Sequence, residues 1–124
     1  MKPATVVKIL EKAKKRIARK GGFLKGGLGA WGEPTGPVCM LGALNYASYG
    51  EDIERAANGP GCQARKAVEA VVGGDIPNFN DTNKRTQAQV IAAFDKAIAR
   101  RRKIDALLAR IKKLKAETVE ICDC

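Results

Sequence analysis

Histidine is absent from the 124 residues, and aromatic side chains make up only 5% of them. The first absence excludes Ser-His-Asp and Cys-His catalysis, and every metal site built on imidazole. There is no G-x-x-x-x-G-K-[ST] phosphate loop. Gly27, Gly29 and Gly32 follow no strand that would make them a dinucleotide-binding turn. No apolar run approaches the roughly 18–20 residues of a membrane span. The first residues read as a basic helix without a long apolar stretch. Neither a secretory signal nor a membrane span is therefore expected, and the expected location is cytoplasmic. Glycine and proline are also missing after Pro77. The remainder, rich in Ala, Lys, Arg, Leu and Ile, has nothing to interrupt a helix.

What is present is a globular composition, 45% apolar and 29% charged, with a net charge of +10. The charge is uneven. Residues 1–25 hold nine basic side chains and one acidic one, and residues 95–116 hold nine and two. The middle is close to neutral, and residues 117–124 hold three acidic side chains and no basic ones. Clustered Lys and Arg attract polyanions, or simply keep a helix face in water. The candidate basic patch is Lys8, Lys12, Lys15, Arg16 and Arg19 with Arg100, Arg101, Arg102 and Lys103.

The fold class is expected to be all-α: a compact bundle of four to five helices with a long, basic, amphipathic C-terminal helix. Val6, Ile9, Leu10, Ala13 and Ile17 recur at three- and four-residue steps and predict a helix over residues 3–19. Gly21 and Gly22 stop it. Apolar side chains within the Gly-rich residues 21–37 suggest a loop packed back on the body. Pro37 opens a second helix, apolar nearly all round and therefore central, that ends at Gly50. A helical turn over 51–57 and a turn at 58–61 follow, then a helix over 62–72. Residues 75–84 read as a connector. Thr86 and Gln89 form a capping box, with no stop signal afterwards until about Thr118. Cys39, Leu41, Leu44, Val68, Val71, Phe79, Val90 and Phe94 are expected to share one core. Gly42 and Ala43 would allow close helix approach.

The last helix changes character midway. Val90, Ile91, Phe94, Ala97 and Ile98 form a core face, and four adjacent cations at 100–103 interrupt it. Ile104, Leu107, Ile111, Leu114, Thr118 and Ile121 then follow a 3-4-3-4-3 heptad pattern, with Leu108 beside it. A helical core over 1–99 and a helical extension over 100–124 are expected. The seam of Ile104, Leu107, Leu108, Ile111 and Leu114 must be covered by the first helix, by a second copy or by a partner, and a membrane surface is a further alternative.

The middle of the chain resembles a known family. A basic helix is followed by Phe23-x-x-Gly26, then by Cys39-x-x-Gly42-Ala43-Leu44, then by Ile76-Pro77-Asn78-Phe79-Asn80-Asp81 with Thr86 five residues on. This order and spacing resembles a family of small helical domains of unknown function found in actinobacteria and their phages. It covers roughly residues 4–99. Members commonly carry Trp where this chain has Phe23 and Phe79. The resemblance implies a phage or actinobacterial cytoplasmic protein and supplies no activity.

Individual residues favour structural roles. Asn80 and Asp81 are expected to cap a turn before the last helix while Phe79 plugs the core. The alternative is a polar pair that binds a cation or a substrate. Cys39 is expected to act as a small core hydrophobe. Cys62 near a helix start is mildly reactive at most. Cys122 and Cys124 lack the spacing of a zinc knuckle. No metal, cofactor or catalytic residue is assigned, and the chain is not expected to be an enzyme. Trp31, Tyr46 and Tyr49 are core fillers or interface anchors. The expected function is binding of another macromolecule, foremost a protein (a host protein or a second copy as a dimer). The alternative is non-sequence-specific nucleic-acid binding through the basic terminal helices.

Overall fold

Five helices follow in order: α1 (Val6–Ile17), α2 (Met40–Ser48), α3 (Pro60–Val72), α4 (Ile76–Asp81) and α5 (Gln87–Cys122). The computed structural model describes residues 5–27, 29, 36–48, 59–82 and 84–122, with side chains as far as residue 117. The fold is all-α. Among the described residues the only β pairing is two isolated bridges, from Val38 to Phe23 and to Gly29. The expected turn at 51–57, Trp31 and Tyr49 lie outside the described residues.

α1 forms because its apolar residues repeat on one face and its first turn is capped. Thr5 Oγ1 accepts the Lys8 amide at 3.2 Å. Val6, Ile9, Leu10, Ala13 and Ile17 are all buried. They pack against α2, α3 and α5. α2 is central, touching α1, α3 and α4, and buries Met40, Ala43, Leu44 and Ala47. α5 closes the bundle with Val90, Ala93, Phe94, Ala97 and Ile98. Its start carries the expected reciprocal box. The Gln89 amide donates to Thr86 Oγ1 at 3.2 Å, and the Thr86 amide donates to Gln89 Oε1 at 3.1 Å. Gln87 Nε2 donates to the carbonyls of Ile17 and Arg19, so the start of α5 also closes the end of α1.

Several expectations need correction. α2 begins at Met40 rather than Pro37, because Val38 is committed to extended pairing. Its amide donates to the Gly22 carbonyl, and its carbonyl accepts the Leu24 amide, both at 2.9 Å. Gly29 turns this loop with φ +74°, and a Cβ there would sit 2.3 Å from the Pro37 carbonyl oxygen. Residues 75–84 are not all connector. Asp75 accepts the Asn78 amide and starts α4, whose Pro77 stands in the first turn, where its missing N–H costs nothing. α5 runs past Thr118 to Cys122, and its 36 residues span about 54 Å at 1.5 Å each. Leu41, Val71 and Phe79, expected inside, are half-buried.

Candidate functional site

The motif residues converge on one place. Asn80 is 1% exposed although it is polar, so its amide must be paired. Its Oδ1 accepts the Met40 amide at 2.9 Å, and its Nδ2 donates to the Leu24 carbonyl at 3.0 Å and to Asp81 Oδ1 at 2.9 Å. Asp81 Oδ1 also accepts the Gly26 amide at 2.8 Å. The pair thus caps α2, whose first amide lies 40 residues away in sequence, and pins the Gly-rich loop. This differs from the expected cap on a turn just before the last helix. Cys39 completes the α2 cap, because its Sγ accepts the Gly42 amide at 3.2 Å. Phe79 lies half-buried under the Arg85 guanidinium, 3.6 Å from its ring centre. Arg85 Nε donates to the Phe79 carbonyl at 2.8 Å.

Cys39, Asn80 and Asp81 line a cleft of about 230 Å³ with Gly26, Gly27, Leu41 and Pro77. Burial pushes the Cys39 thiol above its ordinary value, partly offset by the Gly42 and Leu41 amides. The hydrogen bonds from Asn80 and then Gly26 hold the Asp81 carboxyl below its ordinary value, with Lys25 adding to them. The cleft therefore presents a neutral, poorly nucleophilic thiol and an ionised carboxylate. Among the described residues no group of three or more Cys, Asp or Glu could hold a metal ion.

The basic patch is divided by the fold. Arg16, expected on the solvent face, is 1% exposed. Its Nε and Nη2 donate to the Gly36 carbonyl at 3.3 and 3.2 Å, and its guanidinium lies 4.5 Å from the centre of the Tyr46 ring. Lys12 covers the same ring at 4.9 Å. Lys8 and Lys15 are exposed on α1 and Arg19 just beyond its end, as are Arg100 and Lys103 on α5. Ion pairs link the two helices: Lys14 to Asp95 and Arg102 to Glu11, each at 2.6 Å. Arg101 pairs with Asp105 within α5 at 2.8 Å.

α5 has two halves. Ile98 is the last buried residue among its described side chains, and Ile104 is half-buried. Leu107, Leu108, Ile111 and Leu114 are 48–57% exposed, so α1 does not cover them. Ile104 also lines a groove of about 300 Å³ between α3 and α5, floored by Ala67 and Ala70 and rimmed by Lys66, Arg100 and Arg101. Thr118 and Ile121 lie outside the described side chains.

The model of a family of unknown function, DUF6197, matches residues 1–100. The chain belongs to DUF6197. The match spans the cleft and Val90, Ala93, Phe94, Ala97 and Ile98 of α5, whereas the exposed leucines and isoleucine lie beyond it. No curated protein and no solved structure matches the chain. The DUF6197 description assigns no activity. No helix of the described residues is long and apolar enough to cross a membrane.

Sequence reasoning missed Arg16 in the interior, Arg85 on Phe79 and the Lys66 rim of the α3–α5 groove. Arg16 carries a readable signal: it lies one turn after Ala13, at the edge of the α1 stripe. The other two depend on contacts between segments and leave no local pattern.

Proposed function

We propose that this DUF6197 protein is a binding module and not an enzyme, and that it acts by engaging another protein through the second half of α5. The observation that carries this is the row of four large aliphatic side chains about half exposed on one face. Fully burying such a side chain contributes roughly 1.5–3 kcal/mol, so covering the exposed half of all four contributes about 4 kcal/mol before association costs. That magnitude suits a reversible contact. The setting we infer is that of a small accessory protein of an actinobacterial phage or its host, working in the cytoplasm. The order and spacing of the Cys39, Gly42 and Asn80-Asp81 motifs support that setting. The test is capture from an actinobacterial lysate, with Leu107→Lys/Ile111→Lys as control. Stripe-dependent recovery of a protein, the chain itself included, is expected. Equal recovery by both forms, or none by either, would overturn the reading.

One observation favours a second reading. α1 and α5 pack side by side, so the two basic segments, remote in sequence, lie on one body. Phosphate contacts from Lys8, Lys15, Arg100 and Lys103 would give nucleic-acid binding without base specificity. Each such contact contributes about −0.9 to the log–log salt slope on duplex DNA. Base-specific affinity surviving high salt would contradict it.

A further inference from the structure

We propose that the partner of the α5 stripe is a second copy of this chain, bound antiparallel. This rests on the protein-binding reading above and gives it an occupant.

Ile104, Leu107, Ile111 and Leu114 form the seam. Arg110 and Glu117 flank it on one side, and Leu108 and Lys115 on the other. In a parallel pair, residues of opposite flanks meet, which sets Arg110 against Lys115 of the other copy twice over. It also brings the two acidic C-terminal segments together. In an antiparallel pair, each flank meets itself. Aligning Ile111 of one chain with Leu114 of the other then brings Arg110 beside Glu117 on both sides of the two-fold axis. Leu108 extends the apolar surface along the opposite flank, over the stem of Lys115.

The groove supports the same arrangement. In this alignment the end of each α5 arrives beside Ile104 of the other copy. Ile104 belongs both to the seam and to the α3–α5 groove. The groove rim carries Lys66, Arg100 and Arg101, and the sequence after Glu117 adds two acidic residues and no basic one. The apolar seam thus continues into a basic groove at the point where an acidic segment of the second copy arrives.

Light scattering across a concentration series decides, on the full chain, Arg110→Glu, Glu117→Arg and the double exchange. Both residues are exposed, so far-ultraviolet circular dichroism is expected to stay unchanged. The full chain is expected to approach twice its 13.3 kDa mass as concentration rises. Each single reversal replaces two attractions by two repulsions, raising the midpoint concentration roughly tenfold. The double exchange restores the pairs and returns the midpoint toward the starting value. Tighter association of Arg110→Glu would indicate a parallel pair and overturn the proposal, as would indifference to both reversals. A chain that is monomeric throughout, yet captures another protein through Leu107 and Ile111, would overturn the second-copy assignment and leave the protein-binding reading standing. A monomer that captures nothing would overturn both.

Discussion

Replacing Asn80 by Ala tests whether one buried amide joins three segments. The substitution removes the acceptor of the Met40 amide and the donor to the Leu24 carbonyl. It also removes one of the two hydrogen bonds that hold Asp81. The Met40 amide lies at the start of a buried helix, and Asn80 Oδ1 is the acceptor that receives it. A buried donor left unpaired costs about 1–3 kcal/mol. Leu24 is half-buried, so water recovers part of its loss, and about 2–4 kcal/mol is expected in total. With a urea dependence of about 1–3 kcal/mol per molar, the unfolding midpoint should fall by roughly 1–2 M. Amide exchange gives the local signature, because the Met40, Gly26 and Leu24 amides should lose protection more than that of Val90. Asn80→Asp should restore protection of Met40 alone, since it keeps the acceptor and loses the donor. A midpoint shift below about 0.3 M for Asn80→Ala would refute the reasoning.

Other perturbations probe separate parts of the bundle. Phe94 is fully buried in the first half of α5, so Phe94→Ala should cost about 3–5 kcal/mol by chemical denaturation; a cost near zero would place that face in solvent. Arg16→Met should cost about 1–3 kcal/mol, and Arg16→Lys should not rescue it, because one ammonium cannot reproduce the guanidinium's two bonds to Gly36 and its stacking on Tyr46. Asp81 titrates below its ordinary value because the folded state favours the carboxylate. Its stabilisation is therefore full above the ordinary carboxylate range and disappears as pH falls through the lowered folded value. Urea midpoints between pH 7 and 2 should show a flatter acid limb for Asp81→Asn, and an unchanged limb would contradict the assignment.

Local patterns carried most of the helical reading. The α1 stripe, the Thr86–Gln89 box and the lack of breakers after Pro77 are written within single segments, and α1 and α5 appear where those signals lie. α4 escaped because six residues, one of them proline, show no periodicity. Its Asp75 cap and early proline were the available cues. Val38 looked like the first turn of α2 because extended pairing with Gly22 and Leu24 depends on a loop folding back. The Asn80-Asp81 pair reads from the sequence as a cap on a turn at the entrance of the last helix, whereas it closes α4 and bonds to the start of α2. Which helix it caps is decided by long-range packing, which a short motif does not encode. Arg16 looked solvated because charge usually implies exposure. The carbonyl of Gly36 and the ring of Tyr46 reverse that for one residue. The exposed stripe on α5 was legible as an apolar seam, and the structure adds that α1 leaves it open.

The central claim is that the body ends near Ile98 and that the rest of α5 is a contact surface. Removing residues 103–124 tests it most directly, with thermal melts and light scattering measured on the same sample. A cooperative melt with the helical core intact is expected, together with loss of self-association or partner capture. A truncated chain that is unfolded would make the second half of α5 integral to the core and refute this division of the helix. So would a folded one that associates as the full chain does.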